Sequence, residues 1–302
     1  MSEVFRTPDD RFASLDGYDF APHYTQLSGD LDGLRMHYVD ESAGPEGGSP
    51  ILLLHGEPTW AYLYRKMIPG LMSSGRVIAP DYIGFGRSDK VTEMDWYTYD
   101  RHVDSIKQLI EHLDLRDITL CVHDWGGPIG LRVAVEEEER FARLVILNTA
   151  VFRPRPGKPP NQAFLRWRDF ALRNPDLPVG FIIQGATATD LDEAVIAGYE
   201  APFVTPKSKA GAAAFPAIVP LSVDDPGAAE MAATSEALMR WEKPALVAFS
   251  DSDPLFKPRV GEALAERIPG ARFACVEGGS HFLQEDKGEA IAEMVAAFIG
   301  SG

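Results

Sequence analysis

The chain has 302 residues, 45% of them hydrophobic, and 45 acidic against 29 basic side chains give a formal charge of −16. That length suits one α/β core carrying an inserted subdomain, and the apolar share suits a globular protein with a sizeable core. The charge excludes nucleic acid as a partner, because phosphates would be repelled; a solvated acidic surface accounts for it without requiring a cationic substrate.

From the N-terminus, MSEVFRTPDDRF holds no apolar stretch of the kind a secretory signal needs. No run anywhere approaches the length of a membrane span. A cytoplasmic protein is expected, with no membrane partner. The polar, glycine-rich segment 42–50 reads as a surface loop between strands at 36–39 and 51–54. A helix is expected over 61–71, a strand at 77–79 and a helix over 101–113. Residues 118–122 are apolar at nearly every position, which marks a strand buried on both faces. A helix at 128–138 and another buried strand at 144–147 follow. This strand–helix alternation predicts an α/β fold with a mostly parallel sheet covered by helices.

Near Ala150 the text changes. From 152 to 225 it carries many prolines, scattered aromatics and helical stretches such as 190–199, with no core strand. The alternation then resumes: strand 245–249, helix 260–267, strand 272–276 and helix 289–299. Two strands and two helices cannot bury a core alone. One sheet interrupted by a helical cap is therefore predicted, with 1–151 and 226–302 as core and 152–225 as cap. Two cysteines, Cys121 and Cys275, fall in strand-like stretches and read as buried free thiols in a reducing compartment.

The chemistry gathers where strands end. Asp124 lies in HDWGG (123–127), between a buried strand and a helix, so the turn is sharp and the side chain projects at the carboxyl edge of the sheet. An aspartate there is more than a helix cap: a carboxylate can displace a leaving group from a saturated carbon and form an ester. His281, in GGSHF (278–282), follows the last strand and reaches the same edge. The histidine needs an acid to orient it and to stabilise imidazolium. Asp253 and Asp251 compete for that role. Asp253 is favoured because Asp-Pro fixes the backbone at the loop tip, and the earlier position after strand 144–147 holds Asn148, an amide. HGEPTW (55–60) places a glycine where backbone N–H groups can approach an oxyanion, and the amides of Glu57 and Trp125 are the candidate donors. DYIGFGRSD (81–89) lacks the lysine and spacing of a phosphate loop and reads as a structural turn.

With these residues assembled, the sequence resembles the α/β-hydrolase fold and, within it, the haloalkane dehalogenases. The resemblance runs nearly end to end through HGEPTW, DYIGFGRSD, HDWGG, YEAPF (199–203) and GSHFLQE (279–285). The first and third together are the specific ones. The resemblance implies Asp124 as nucleophile, His281 as base and Asp253 as its acid, with Trp125 and a cap tryptophan, best matched by Trp167, as halide donors. Trp241 reads as packing. Phe152, Phe164, Phe170, Phe215, Pro216, Val219, Leu255 and Phe282 are expected to wall an apolar cavity. The implied substrate is a small apolar alkyl halide, turned over with water to alcohol, halide and proton. Separately from the resemblance, a monomer is expected. No metal ligand cluster, nucleotide site or other cofactor is expected.

Rival readings leave their own marks. An epoxide hydrolase would use the same three residues but needs a pair of cap tyrosines, and the cap offers only Tyr199. A fluoroacetate-type dehalogenase would need cationic residues at the nucleophile, where Trp125 stands instead. Asp124 at the turn excludes a serine esterase. A binding protein of the same fold would have no need of all three reactive residues.

Overall fold

The computed structural model describes residues 2–44, 48–154 and 161–301. The middle of the predicted 42–50 loop and six residues of the predicted cap, 155–160, lie outside the described residues.

The sheet comes from runs that bury both faces. Strands β4 (Pro50–Leu54), β7 (Ile118–His123) and β9 (Ala245–Ser250) are buried at every residue, as strands sandwiched between helices must be. With β2 (His23–Gln26), β3 (Arg35–Glu41), β5 (Arg76–Pro80), β8 (Phe141–Leu147) and β10 (Arg272–Val276) they form one eight-stranded sheet in the order β10-β9-β8-β7-β4-β5-β3-β2. Pairing is parallel from β10 to β5 and antiparallel at β5–β3 and β3–β2. A separate ribbon pairs β1 (Val4–Phe5) with β6 (Lys90–Val91).

Helix α2 (Tyr99–His112) begins at Thr98, whose side chain caps the amide of Arg101, and packs on α3 (Gly126–Glu136). Helix α3 follows β7 almost at once because three glycines allow it. A Cβ on Gly126 would meet the Leu54 carbonyl oxygen at 2.1 Å, one on Gly127 the Thr149 hydroxyl at 2.0 Å, and one on Gly130 Leu54 and Val122 side chains below 3 Å. The cap elements α4 (Gln162–Arg173), α5 (Val179–Gly185), α6 (Glu193–Glu200) and α7 (Ala210–Ala214) occur between β8 and α8 (Ala228–Leu238). Helix α8 returns to the core against α3, before α9 (Pro258–Ala265) and α10 (Leu283–Gly300).

Three expectations need correction. The helix expected over 61–71 is a 3-10 turn, Ala61–Tyr64, followed by the single-turn helix α1 (Ile68–Leu71) with Pro69 near its start, where a missing N–H costs nothing. Cys121 is buried but Cys275 is exposed, because β10 is the sheet edge and is covered on fewer sides. The edge strand β2, too polar to stand out, was not foreseen.

The 81–89 segment is a turn wound on its own aspartate. Asp81 accepts from the amides of Ala61 (2.8 Å) and Arg87 (2.7 Å) and from His37 Nδ1 (2.7 Å). Gly86 has φ +46°, and a Cβ there would lie 2.0 Å from Asp81 Oδ2. The carboxylate therefore fills the concavity that the glycine loop creates.

Candidate active site

Asp124 sits at the corner between β7 and α3 with φ +47°, a left-handed conformation that costs an ordinary L residue about 1–2 kcal/mol. Surrounding contacts fix it. Its amide donates to the Asn148 carbonyl at 3.3 Å, and its carbonyl accepts from Gly127 at 2.9 Å and from the Thr149 hydroxyl. The strain turns the carboxylate out of the sheet edge.

The two carboxylate oxygens differ. Oδ1 accepts the Glu57 amide at 2.9 Å, and the Trp125 amide also favours the charged form of this carboxylate. Oδ2 faces His281 Nε2 at 3.7 Å, too far for a direct hydrogen bond but within reach of a bridging water. Burial raises the Asp124 carboxyl above its ordinary value, while His281 and the two amides pull the other way. The result is a poorly solvated carboxylate with one oxygen held and one free.

Gly56 makes the held oxygen possible: a Cβ there would stand 2.2 Å from Asp124 Oδ1. The Gly56 carbonyl is fixed by His55 Nδ1 and Thr59 Oγ1, both at 2.8 Å, which directs the Glu57 N–H at the Asp124 carboxylate. His55 Nε2 accepts the Tyr82 amide at 3.2 Å, so its proton is on Nδ1. Burial holds this imidazole neutral, lowered to about 4.

His281 donates Nδ1–H to Asp253 Oδ2 at 2.9 Å, which leaves a lone pair on Nε2. Burial would depress its pKa, but the charge and hydrogen bond of Asp253, with help from Asp124, hold it above the ordinary value. Asp253 is fully buried, and its Oδ1 accepts the Leu255 (2.6 Å) and Phe256 (2.9 Å) amides. The competing Asp251 is exposed and accepts the Gly278 amide instead. Asn148 is a buried clamp. Its Nδ2 donates to the Ser280 (2.9 Å) and His281 (3.2 Å) carbonyls and to Ser250 Oγ (2.8 Å), and its Oδ1 accepts the Ser250 amide (2.9 Å). His123 Nε2 contributes a further bond to the His281 carbonyl at 2.8 Å.

A cavity of about 370 Å³ opens over Asp124 between core and cap. Trp125 and Trp167 both line it. Trp60 by contrast donates its indole N–H to Gly198 (3.1 Å), and Trp241 is buried in the core. Phe152, Phe164, Phe170 and Pro216 line the cavity, as do Val219, Leu255 and Phe282. Phe215 does not. It is fully buried behind Trp125, with ring centroids 4.8 Å apart, and stacks on His102. It supports the indole rather than walling the cavity.

A family model described as the alpha/beta hydrolase fold matches residues 49–184. A haloalkane dehalogenase of Mycobacterium marinum is 50% identical over 98% of this chain and 99% of its own length. One of Psychrobacter cryohalolentis is 44% identical over 98% of each. The chain belongs to the haloalkane dehalogenases. Among solved members of the family, the tetrameric dehalogenase DpaA from Paraglaciecola agarilytica superposes with a TM-score of 0.91 at 35% identity, covering 97% of both chains. DbeA from Bradyrhizobium elkani gives 0.83 at 25% identity over 94% of this chain.

Within this dehalogenase cavity the sequence reading missed Ile182 and Phe181 on α5, Arg166 on α4, and Phe256. Phe256 stacks on His281 at 5.8 Å between ring centroids, and it follows the Asp253 turn closely enough to have been suspected. Ile182 carried no signal, since an isoleucine in a short apolar helix reads as core. The role of Asn148 as a clamp was equally hidden: a lone asparagine after a strand announces neither its partners nor its burial.

Proposed function

We propose that this chain hydrolyses alkyl halides in two steps through an ester on Asp124. The observation that carries the reading is the unequal environment of the Asp124 oxygens: Oδ1 rests on the Glu57 amide at 2.9 Å, while Oδ2 is free beside the cavity and 3.7 Å from His281 Nε2. Oδ2 attacks the carbon bearing the halogen. The carbon–oxygen bond forms as the carbon–halogen bond breaks, and the halide leaves with the bonding pair. The Trp125 and Trp167 indole N–H groups receive it; a halide needs no proton to depart, so non-acidic donors suffice.

His281 then takes a proton from water, and the hydroxide attacks the Asp124 carboxyl carbon. Oδ1 becomes the oxyanion on the Glu57 and Trp125 amides, which stabilise it without reorganisation. Ester formation removes the Asp124 charge, one of the influences that raise His281, so the imidazole loses its proton more readily when a base is needed. Asp253 stabilises the imidazolium that forms. Collapse expels the alkoxide, which takes the proton from the His281 imidazolium and leaves as the alcohol; the remaining carboxyl proton passes to solvent, which restores the Asp124 carboxylate. The apolar walls point to a small apolar substrate.

An epoxide opening needs an acid in the cap. Tyr199 is fully buried and its hydroxyl donates to Glu285 Oε2 at 2.7 Å, which commits it elsewhere. No helix of the described residues is long and apolar enough to cross a membrane. An exposed free thiol, Cys275, supports a reducing cytoplasm. The assembly we propose is a monomer, and light scattering of the purified chain tests it.

The decisive experiment uses His281→Phe with a short bromoalkane. It releases about one bromide per site and then stops, because each site makes one ester. Intact mass gains the alkyl group, and peptide mapping puts it on Asp124. Asp124→Ala neither releases bromide nor gains mass. Sustained turnover by folded His281→Phe, or its failure to be alkylated, removes the mechanism.

A further inference from the structure

The His281 loop is held from two sides. Its carbonyls face the core, where Asn148 and His123 hold those of Ser280 and His281. Its amides face the cap. Phe282 N–H donates to the Ala186 carbonyl at 3.1 Å, and Ser280 N–H donates to Asp286 Oδ2 at 2.8 Å. Ala186 opens the loop that follows α5, and Asp286 reaches that loop as well. Its Oδ1 accepts the Thr189 amide at 2.8 Å, and both its oxygens accept the Ala188 amide at 3.0 Å. One half-buried carboxylate thus joins cap backbone to the residue before His281.

The place of Asp286 in α10 suits that task. Lys287 departs from helical geometry, with φ −140° and ψ 30°, so the turn carrying Asp286 is set off from the long helix behind it. The adjacent acid is engaged differently: Glu285 takes Arg65 at 2.6 Å and Lys66 at 2.8 Å. Where Glu285 meets cations, Asp286 meets amides. Hydrogen bonds from N–H groups to a carboxylate are of the stronger kind, and they weaken steeply when bent. They therefore fix where the joined backbones stand, as well as holding them together.

We propose that Asp286 is a positioning residue: it ties the cap loop at 186–189 to the amide side of the His281 loop and so sets the imidazole for ester hydrolysis. The proposal rests on the two-step reading above. Alkylation needs Asp124 and the indole donors, and Asp286 bonds to none of these. Hydrolysis needs Nε2 aimed at a water beside Asp124, and a misplacement of about 1 Å can cost about 10² in rate. The clamp thus acts on the second step alone. From the cap it draws on backbone N–H groups only, so changes of side chain in the cavity roof leave it intact.

Rapid-quench bromide release and intact mass, followed with one short bromoalkane, separate the two steps. Asp286→Ala releases its first bromide at the wild-type rate but hydrolyses the ester about 10 to 10² times more slowly. The alkyl adduct on Asp124 therefore accumulates during turnover, and kcat and KM fall together while kcat/KM holds. Asp286→Asn behaves in the same way, because its amide nitrogen faces N–H groups on one side and accepts from none of them. Thr189→Pro removes one cap donor and leaves the carboxylate in place. Its hydrolysis slows in the same sense by a smaller factor, since Ala188 still donates, and it serves as the test should circular dichroism show that neither variant at 286 folds. The proposal fails if Asp286→Ala hydrolyses the ester at the wild-type rate, if the variants at 286 slow both steps by the same factor, or if Thr189→Pro leaves hydrolysis untouched. Absence of any adduct on Asp124, in quenched wild type and in His281→Phe alike, defeats the ester reading itself rather than the clamp.

Discussion

The floor and the roof of the cavity are built on different principles. The floor, from the core, is set by backbone: Asp124 in a left-handed turn, a glycine under its Oδ1, and a histidine loop hung from Asn148 and His123 by three bonds to carbonyls. The roof, from the cap, is made of side chains: Phe164, Trp167, Phe170 and Ile182 present apolar surfaces with few polar constraints on where each must stand. The floor is intolerant of change because its hydrogen bonds are directional and its gaps are smaller than a methyl group. The roof tolerates change because burial energy depends on area more than direction. Reaction type should therefore be a property of the floor, and substrate choice a property of the roof.

The sharpest way to break this contrast is Gly56→Ala. The added methyl would stand 2.2 Å from Asp124 Oδ1, displacing either the carboxylate or the Glu57 amide. Loss of one such donor costs about 10²–10³ in kcat, read by steady-state halide release, with circular dichroism confirming the fold. A near-normal kcat would mean that the floor is softer than its geometry implies.

Trp167→Phe probes the indole N–H that the roof contributes beside Arg166. It should weaken the fluorescence response to bromide and slow halide release by up to about 10². Trp241→Phe, a substitution in the core, should change neither. A wild-type response from Trp167→Phe would mean that the roof's indole plays no part in holding the halide.

The pH dependence sharpens the contrast in the floor itself. His281 must be neutral to act as base, and its pKa is raised in the free protein by Asp253 and Asp124. On the proposed mechanism ester hydrolysis is therefore lost as pH falls through the imidazole pKa of the ester form, roughly tenfold per pH unit below it. In the ester the Asp124 contribution is gone, so the acid limb of single-turnover hydrolysis should lie at lower pH than the imidazole titration of free protein followed by NMR. Coincident midpoints would show that Asp124 does not sense His281 in the way the 3.7 Å separation suggests.

The mildest expected effect belongs to the roof. Ile182→Ala enlarges the cavity by a few methyl groups, and each methylene in an apolar pocket is worth on the order of tenfold in selectivity. The ratio of kcat/KM for a longer over a shorter bromoalkane should rise by about that factor, while the shape of the pH profile stays the same. A shifted pH profile would show that cap and core chemistry are not separable.

The same division explains what the sequence disclosed. Directional, glycine-dependent corners leave short motifs, so Asp124, His281 and the Gly56 turn could be read from residue order and strand ends alone. Asp253 was separable from Asp251 only by its proline; the structure distinguishes them by burial. The roof leaves no such trace. Phe215 and Phe164 are the same residue type in similar text, yet one lies behind Trp125 and the other lines the cavity. Ile182 and Arg166 went unnoticed because lining a cavity depends on how helices pack, which no local pattern encodes.

The turn at 81–89 has a consequence for life among metabolites. A glycine-rich loop behind a strand is the kind of place where nucleotides and sugar phosphates dock, and such compounds are abundant around any enzyme in a cell. Here the position an anionic guest would take belongs to the protein's own Asp81, held by Ala61, Arg87 and His37. The loop is thus saturated with an internal anion, and a Cβ at Gly86 would already collide with it at 2.0 Å, so no phosphate group fits there.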